Sequence, residues 1–159
     1  MIKEEHFVSA KIGKLLKDHG FDELCEWIYG ISVRHNGKDI SFCDECELKD
    51  EGREDEIEYV DYSNVMSFVS RNSELGDGAC SMPRYTDVFD WIEKNFNIYI
   101  SVYPLFKECD DICWTFDICD LKEKTLKQMS DVDTSRVKIM ENAIMCVLEK
   151  TYLTEKEII

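Results

Sequence analysis

The sequence predicts an α+β fold, a small antiparallel β-sheet packed against amphipathic α-helices. Three observations carry this. Apolar residues recur at helical spacing in three separated stretches, two neighbouring stretches alternate apolar and polar residues, and an Asn-Gly pair divides two runs rich in β-formers. A chain of 159 residues, 44% of them hydrophobic, with only two prolines and seven glycines, reads as one folded domain over 1–159.

The first helix lies between Glu4 and Lys17, where Val8, Ile12, Leu15 and Leu16 keep to one stripe with lysines between them. Gly20 offers a left-handed cap and Phe21 is placed to fold back on the helix end. Asn36-Gly37 then predicts a tight hairpin, because both of its central positions must tolerate positive φ. Trp27, Tyr29, Ile31 and Val33 share one face of the incoming strand, and Ile40 and Phe42 one face of the return. A competing reading of Phe21, Leu24, Cys25 and Ile28 as a short helix leaves the start of that strand open.

From Asp44 to Asp61 ten acidic residues face only Lys49 and Arg53, so this segment holds a net −8 of the chain's −15. Self-repulsion and the lack of apolar spacing predict a mobile acidic loop at about 44–61. Val65 to Val69 reads as a short strand, and "NSELGDG", ending at Gly78, as a turn-rich connector.

The second helix, 84–96, starts near Pro83 and aligns Tyr85, Val88, Phe89, Ile92 and Phe96. Asn97 is suited to a left-handed stop. "IYISVYP" and "ICWTFDICD" follow as strands 98–104 and 112–119, whose short link implies antiparallel pairing. A helix over 135–152 closes the chain, with "DTS" supplying its cap and Val137, Met140, Ile144, Val147 and Leu148 its buried stripe.

Composition excludes several function classes. A net charge of −15 without a basic patch excludes direct binding to nucleic acid or to an anionic membrane. No apolar run approaches the ~20 residues of a membrane span, and charges occupy the region where a signal peptide needs its apolar segment. The expected compartment is the cytoplasm, so the eight cysteines are expected to be reduced, most as small buried hydrophobes.

Cys43-x-x-Cys46 is the only candidate metal pair, with the spacing of one zinc knuckle. Its completion would have to come from Cys109, Cys113 or Cys119, whose spacing does not supply a second knuckle. Asp44 and Glu45 between the thiols work against a redox role, because a reactive thiolate needs an electropositive setting. His6, His19 and His35 all lie in the first quarter of the chain, and no phosphate-cradling glycine loop, nucleophile elbow or His-Glu-x-x-His motif occurs, so no catalytic residue and no cofactor is expected. Trp91, Tyr99 and Tyr103 are the candidate interaction surface, set against the alternative that a second layer covers them as core.

Three stretches, "KLLKDHGFDELC", "MPRYTDVFDWIEKNFNIYISV" and "SRVKIMENAIMCVLEKTYL", together resemble a set of small uncharacterised phage- or prophage-related proteins of gut Bacteroidales. That pattern has a lysine-rich first helix ending in Gly-Phe, a Pro-led helix running into an Ile-rich strand, and a closing helix. Gly20-Phe21, Pro83 and Trp91-Ile92-Glu93 fall at the corresponding places. Glu93-Lys94 departs from the family's Arg-Glu, and the acidic, cysteine-bearing middle is not part of the pattern. The resemblance implies a mobile-element context and transfers no site. The expected function is that of a non-enzymatic accessory protein acting on an unknown protein partner. The alternatives are a small zinc-binding protein using Cys43 and Cys46, and an unrecognised enzyme.

Overall fold

The computed structural model describes residues 6–106 and 111–151, of which 128–130 are described by backbone alone. The architecture is the α+β class expected, with helices and two antiparallel sheets. Helix α1 (Ala10–Asp18) begins where the Ser9 hydroxyl accepts the amide of Ile12, satisfying one of the helix's orphan donors. It ends at Gly20, whose φ of 88° turns the chain so that the amide of Phe21 donates to the carbonyl of Leu16 at 2.9 Å.

Strand β1 (Cys25–His35) turns through Asn36 and Gly37, at φ 52° and 74°, into the two-residue β2 (Lys38–Asp39). Both positive φ values are the left-handed pair that the Asn-Gly signal requires. The competing helix reading does not hold, since β1 starts at Cys25, and Leu24 is exposed while Phe21 is fully buried. On β1 the well-buried residues are Cys25, Ile28, Gly30 and Ser32, and Ile31 on the expected apolar face is exposed. Residues across the sheet cover the smaller set. A Cβ on Gly30 would meet the Met66 sulfur at 3.1 Å, and the Ser63 hydroxyl donates to that of Ser32 at 2.7 Å.

The segment expected as a mobile acidic loop is regular structure instead: helix α2 (Phe42–Asp50), a 3₁₀ turn at Glu54–Glu56, and the start of β3 (Ile57–Ser70). Local bonds offset the repulsion. Ser41 and Asp44 form a reciprocal capping box, Lys49 pairs with Glu45 one turn away at 3.0 Å, and Leu48 is buried as the helix's anchor. Strand β3 absorbs the short strand expected at Val65–Val69 and pairs along β1 from His35↔Ile57 to Cys25↔Ser70.

A short β4 (Cys80–Ser81) pairs β1 on its other edge and leads into α3 (Tyr85–Phe96). Asn97 stops that helix at φ 55°, as its side chain predicts. The second sheet is β5 (Ile98–Leu105), β6 (Cys113–Asp120) and β7 (Thr125–Asp133) in that order, all antiparallel. The polar β7 is an element the sequence reading lacked. Helix α4 (Arg136–Leu148) is capped by the Ser135 hydroxyl, which accepts from Lys138.

The hydrophobic core sits between this second sheet and helices α1, α3 and α4. Ile98, Ile100, Phe116 and Ile118 point into it from the sheet, Val88 and Ile92 from α3, and Ile139, Ile144 and Val147 from α4. Each such side chain contributes roughly 1.5–3 kcal/mol by leaving water. One polar clamp joins the first sheet to this core. Buried Asn72 donates to the Phe21 carbonyl at 2.7 Å and accepts the Ser81 amide at 2.8 Å, tying β4 to the end of α1.

Candidate interaction surface

Trp91 belongs to the core and not to a surface: it is 8% exposed and packs edge-on against Phe21 at 5.2 Å and Phe96 at 5.4 Å. Its position on the flank of the α3 stripe made it look available, but the chain after α1 turns at Gly20 and lays Phe21 over it. Tyr99 is 50% exposed and Tyr103 half-buried. Register places Tyr99 beside Cys119 and Leu126, and Tyr103 beside Thr115 and Val132, on the sheet face opposite the core.

Cys43 and Cys46 lie in the first turns of α2, Cys43 exposed and Cys46 half-buried. Among the described residues no group of three or more histidine, cysteine or carboxylate side chains is arranged to hold a metal. Cys113 and Cys119 stand on β6, and Cys109 lies outside the described residues. Burial pushes the thiols of Cys25 and Cys80 up to about 11, so both are poor nucleophiles. The His19 ring meets the Leu15 carbonyl at 2.9 Å, and His35 meets Glu56 at 3.2 Å.

A cavity of about 400 Å³ opens where β1 and β3 meet the starts of α1, α3 and α4. Its polar groups are largely engaged in holding those elements together. The Tyr29 hydroxyl donates to the Val8 carbonyl at 2.6 Å, and Glu141 accepts both the amide and the hydroxyl of Ser9, at 3.2 and 2.7 Å. Burial first, and the Glu141 carboxylate after it, push the Tyr85 phenol well above its ordinary range.

A run of exposed side chains lies along β3. From Ser63 to Val69 every side chain is exposed, including Val65, Met66, Phe68 at 51% and Val69 at 63%. Apolar side chains are therefore open on both faces of the strand, since neighbours in sequence point to opposite sides. Strands β2 and β4 pair with β1, so among the described residues no strand pairs the other edge of β3.

The strand's beginning is acidic, and its electrostatics are set by α2. The Tyr59 hydroxyl donates to Glu45 at 2.8 Å, and Lys49 and then Tyr59 hold Glu45 below its ordinary carboxylate range. Arg53 grips Glu56 with two bonds of 2.7 and 2.9 Å; with a lesser effect from His35, this brings the Glu56 carboxyl from 4.5 down to about 2. Acidic charge is thus fixed along one end of a strand whose other end is neutral and apolar. Sequence reasoning found the acid and the Val65–Val69 run but separated them into loop and strand.

No helix among the described residues is long and apolar enough to cross a membrane. No family model, no curated protein and no solved structure matches the chain.

Proposed function

We propose that the chain is a non-enzymatic accessory protein of the phage- or prophage-related kind its sequence resembles, working in the cytoplasm by binding another protein. The binding surface is the acidic, partly aromatic one made by α2 and β3. One observation carries the reading: β3 runs for 14 residues and of these only Ser70 is buried. Long edge strands with exposed apolar side chains are interaction-prone, and although bulges blunt this one at two places, the stretch 64–67 between them keeps a regular ladder that no described strand covers. The −15 net charge favours a protein partner over nucleic acid, because phosphate binding needs basic patches.

The test compares partners captured from a host lysate by the native chain and by the Phe68→Ser/Val69→Ser double variant. Both residues are more than half exposed, so the variant keeps its fold. Loss of the captured protein with unchanged stability supports the reading. Capture that is equal for the two chains refutes it.

A further inference from the structure

The inference rests on the reading of β3 as a binding surface and names the chemistry of its partner. We infer that β3 takes up an extended segment of a partner protein as an added antiparallel strand, apolar where it meets residues 63–69 and basic where it meets residues 54–61.

The edge supplies the affinity. One side of β3 is satisfied by β1 and no described strand pairs the other; the Tyr62 amide, in the bulge, already donates to the Gly78 carbonyl at 2.9 Å, so the open ladder groups are those of the regular stretch 64–67. An added strand satisfies such groups with main-chain hydrogen bonds while side chains select the sequence. Pairing with β1 is regular from Gly30↔Asn64 to Trp27↔Ser67, so the outer groups of that stretch keep ladder spacing. Extra residues interrupt the strand between Val60 and Asn64, where Tyr62 takes φ 57°, and between Ser67 and Ser70. These bulges twist the edge and divide it into two short ladders, which suits a short flexible segment better than a preformed flat strand.

Charge selects the partner and its direction. No charged residue occurs from Tyr62 to Ser70, whereas Glu54, Asp55, Glu56, Glu58 and Asp61 crowd the other end. Of these acids Glu56 is paired with Arg53 and His35, while the other four have no ion pair among the described residues. A basic segment gains there what an acidic one loses. Antiparallel pairing is slightly the more stable per residue, so the partner's apolar half comes first in its sequence and its basic half second. A second copy of this chain brings another −15 and no basic run to meet the acid.

The experiment titrates the full chain, observed by amide NMR, with a synthetic peptide of alternating valine and threonine followed by a run of lysines. Two controls carry the same residues in reversed order, or glutamates in place of the lysines. The expected result is shifts confined to residues 54–70 and new exchange protection at 64–67. Affinity falls about tenfold in the Glu58→Lys/Asp61→Lys variant and weakens with salt, and the glutamate peptide does not bind. Binding of all three peptides alike, or no binding by any, overturns the inference. So does a dimer of the chain alone whose dissociation exposes the β3 amides. The Phe68→Ser/Val69→Ser comparison separates the two levels. If that variant loses its lysate partner but no peptide binds, strand addition fails and the binding surface stands; if it keeps its partner, the reading beneath fails as well.

Discussion

The two sheets differ in what covers them. The sheet β5–β6–β7 presses one face on helices, with Ile98, Phe116 and Ile118 at most 1% exposed, and its centre strand is paired along both edges. The other sheet is nearly a two-stranded ribbon, since β2 and β4 contribute two residues each, and its long outer strand β3 is exposed almost throughout. A ribbon of that kind is marginal in water by itself. The lesson is that the molecule concentrates its stability in one sheet and leaves the other with surface to offer.

The sharpest way to break that contrast is truncation on each side. Phe116→Ala should destabilise the chain by about 3–5 kcal/mol, the range for emptying a fully packed aromatic site, whereas Phe68→Ala should change stability by less than about 0.5 kcal/mol. Chemical denaturation of both variants measures the difference, and equal effects would mean that β3 is structural. Next in size is the clamp that ties the first sheet to the end of α1. Asn72→Ala removes two buried bonds and leaves the Ser81 amide and the Phe21 carbonyl without that partner, so a loss of about 2–3 kcal/mol is expected from the same melt. In hydrogen exchange, amides of β3 should open well before those of β6, because local opening tracks how little surface a segment buries.

Two smaller effects sharpen the picture of the acidic end. Glu56 is depressed in the folded chain to about 2 from an ordinary 4.5, so the stabilisation from its ion pair is complete above the ordinary value and fades as pH falls toward the folded one. A pH series of amide spectra from 5 to 2 should show the α2–β3 junction changing first, with its midpoint moved upward in Arg53→Ala. The smallest expected effect is that of zinc. Cys43→Ser should leave the melting temperature unchanged with or without added zinc, given that no metal-holding group surrounds this pair among the described residues. A zinc-dependent rise of several degrees would restore the metal reading.

How far the fold was legible depends on how each element is held. Where one face meets the core, the apolar pattern records it: Tyr85, Val88 and Ile92 repeat at the helical period, and Ile98 and Ile100 alternate against Tyr99. Elements held by other means left little trace. Helix α2 rests on a capping box, an ion pair and the single anchor Leu48, so its charges read as repulsion. Among the described side chains of β7 none is buried, and the strand is held through the register of β6 and by bonds such as that from the Thr115 hydroxyl to the Asp131 carbonyl at 2.6 Å. The candidate site was visible in parts, since the acid and the Val65–Val69 run were both noticed, but their continuity along one strand was not.

Local choices were legible in the sequence by itself: the left-handed stops at Gly20 and Asn97, the Asn36-Gly37 turn, the cap at Ser135, and from the periodicities the α+β class; the cap at Ser9 was not, since helical spacing carried the expected helix back to Glu4. The stops, the turn and the Ser135 cap are each decided within a few residues by backbone sterics and nearby bonds, and so can be read from a short window. Packing between distant segments decided that Trp91 is buried, that Ile31 is exposed, and that β3 ends as an edge. Those outcomes turn on which distant segment arrives to cover a surface: Phe21 reaches Trp91, while among the described residues no strand reaches the outer edge of β3.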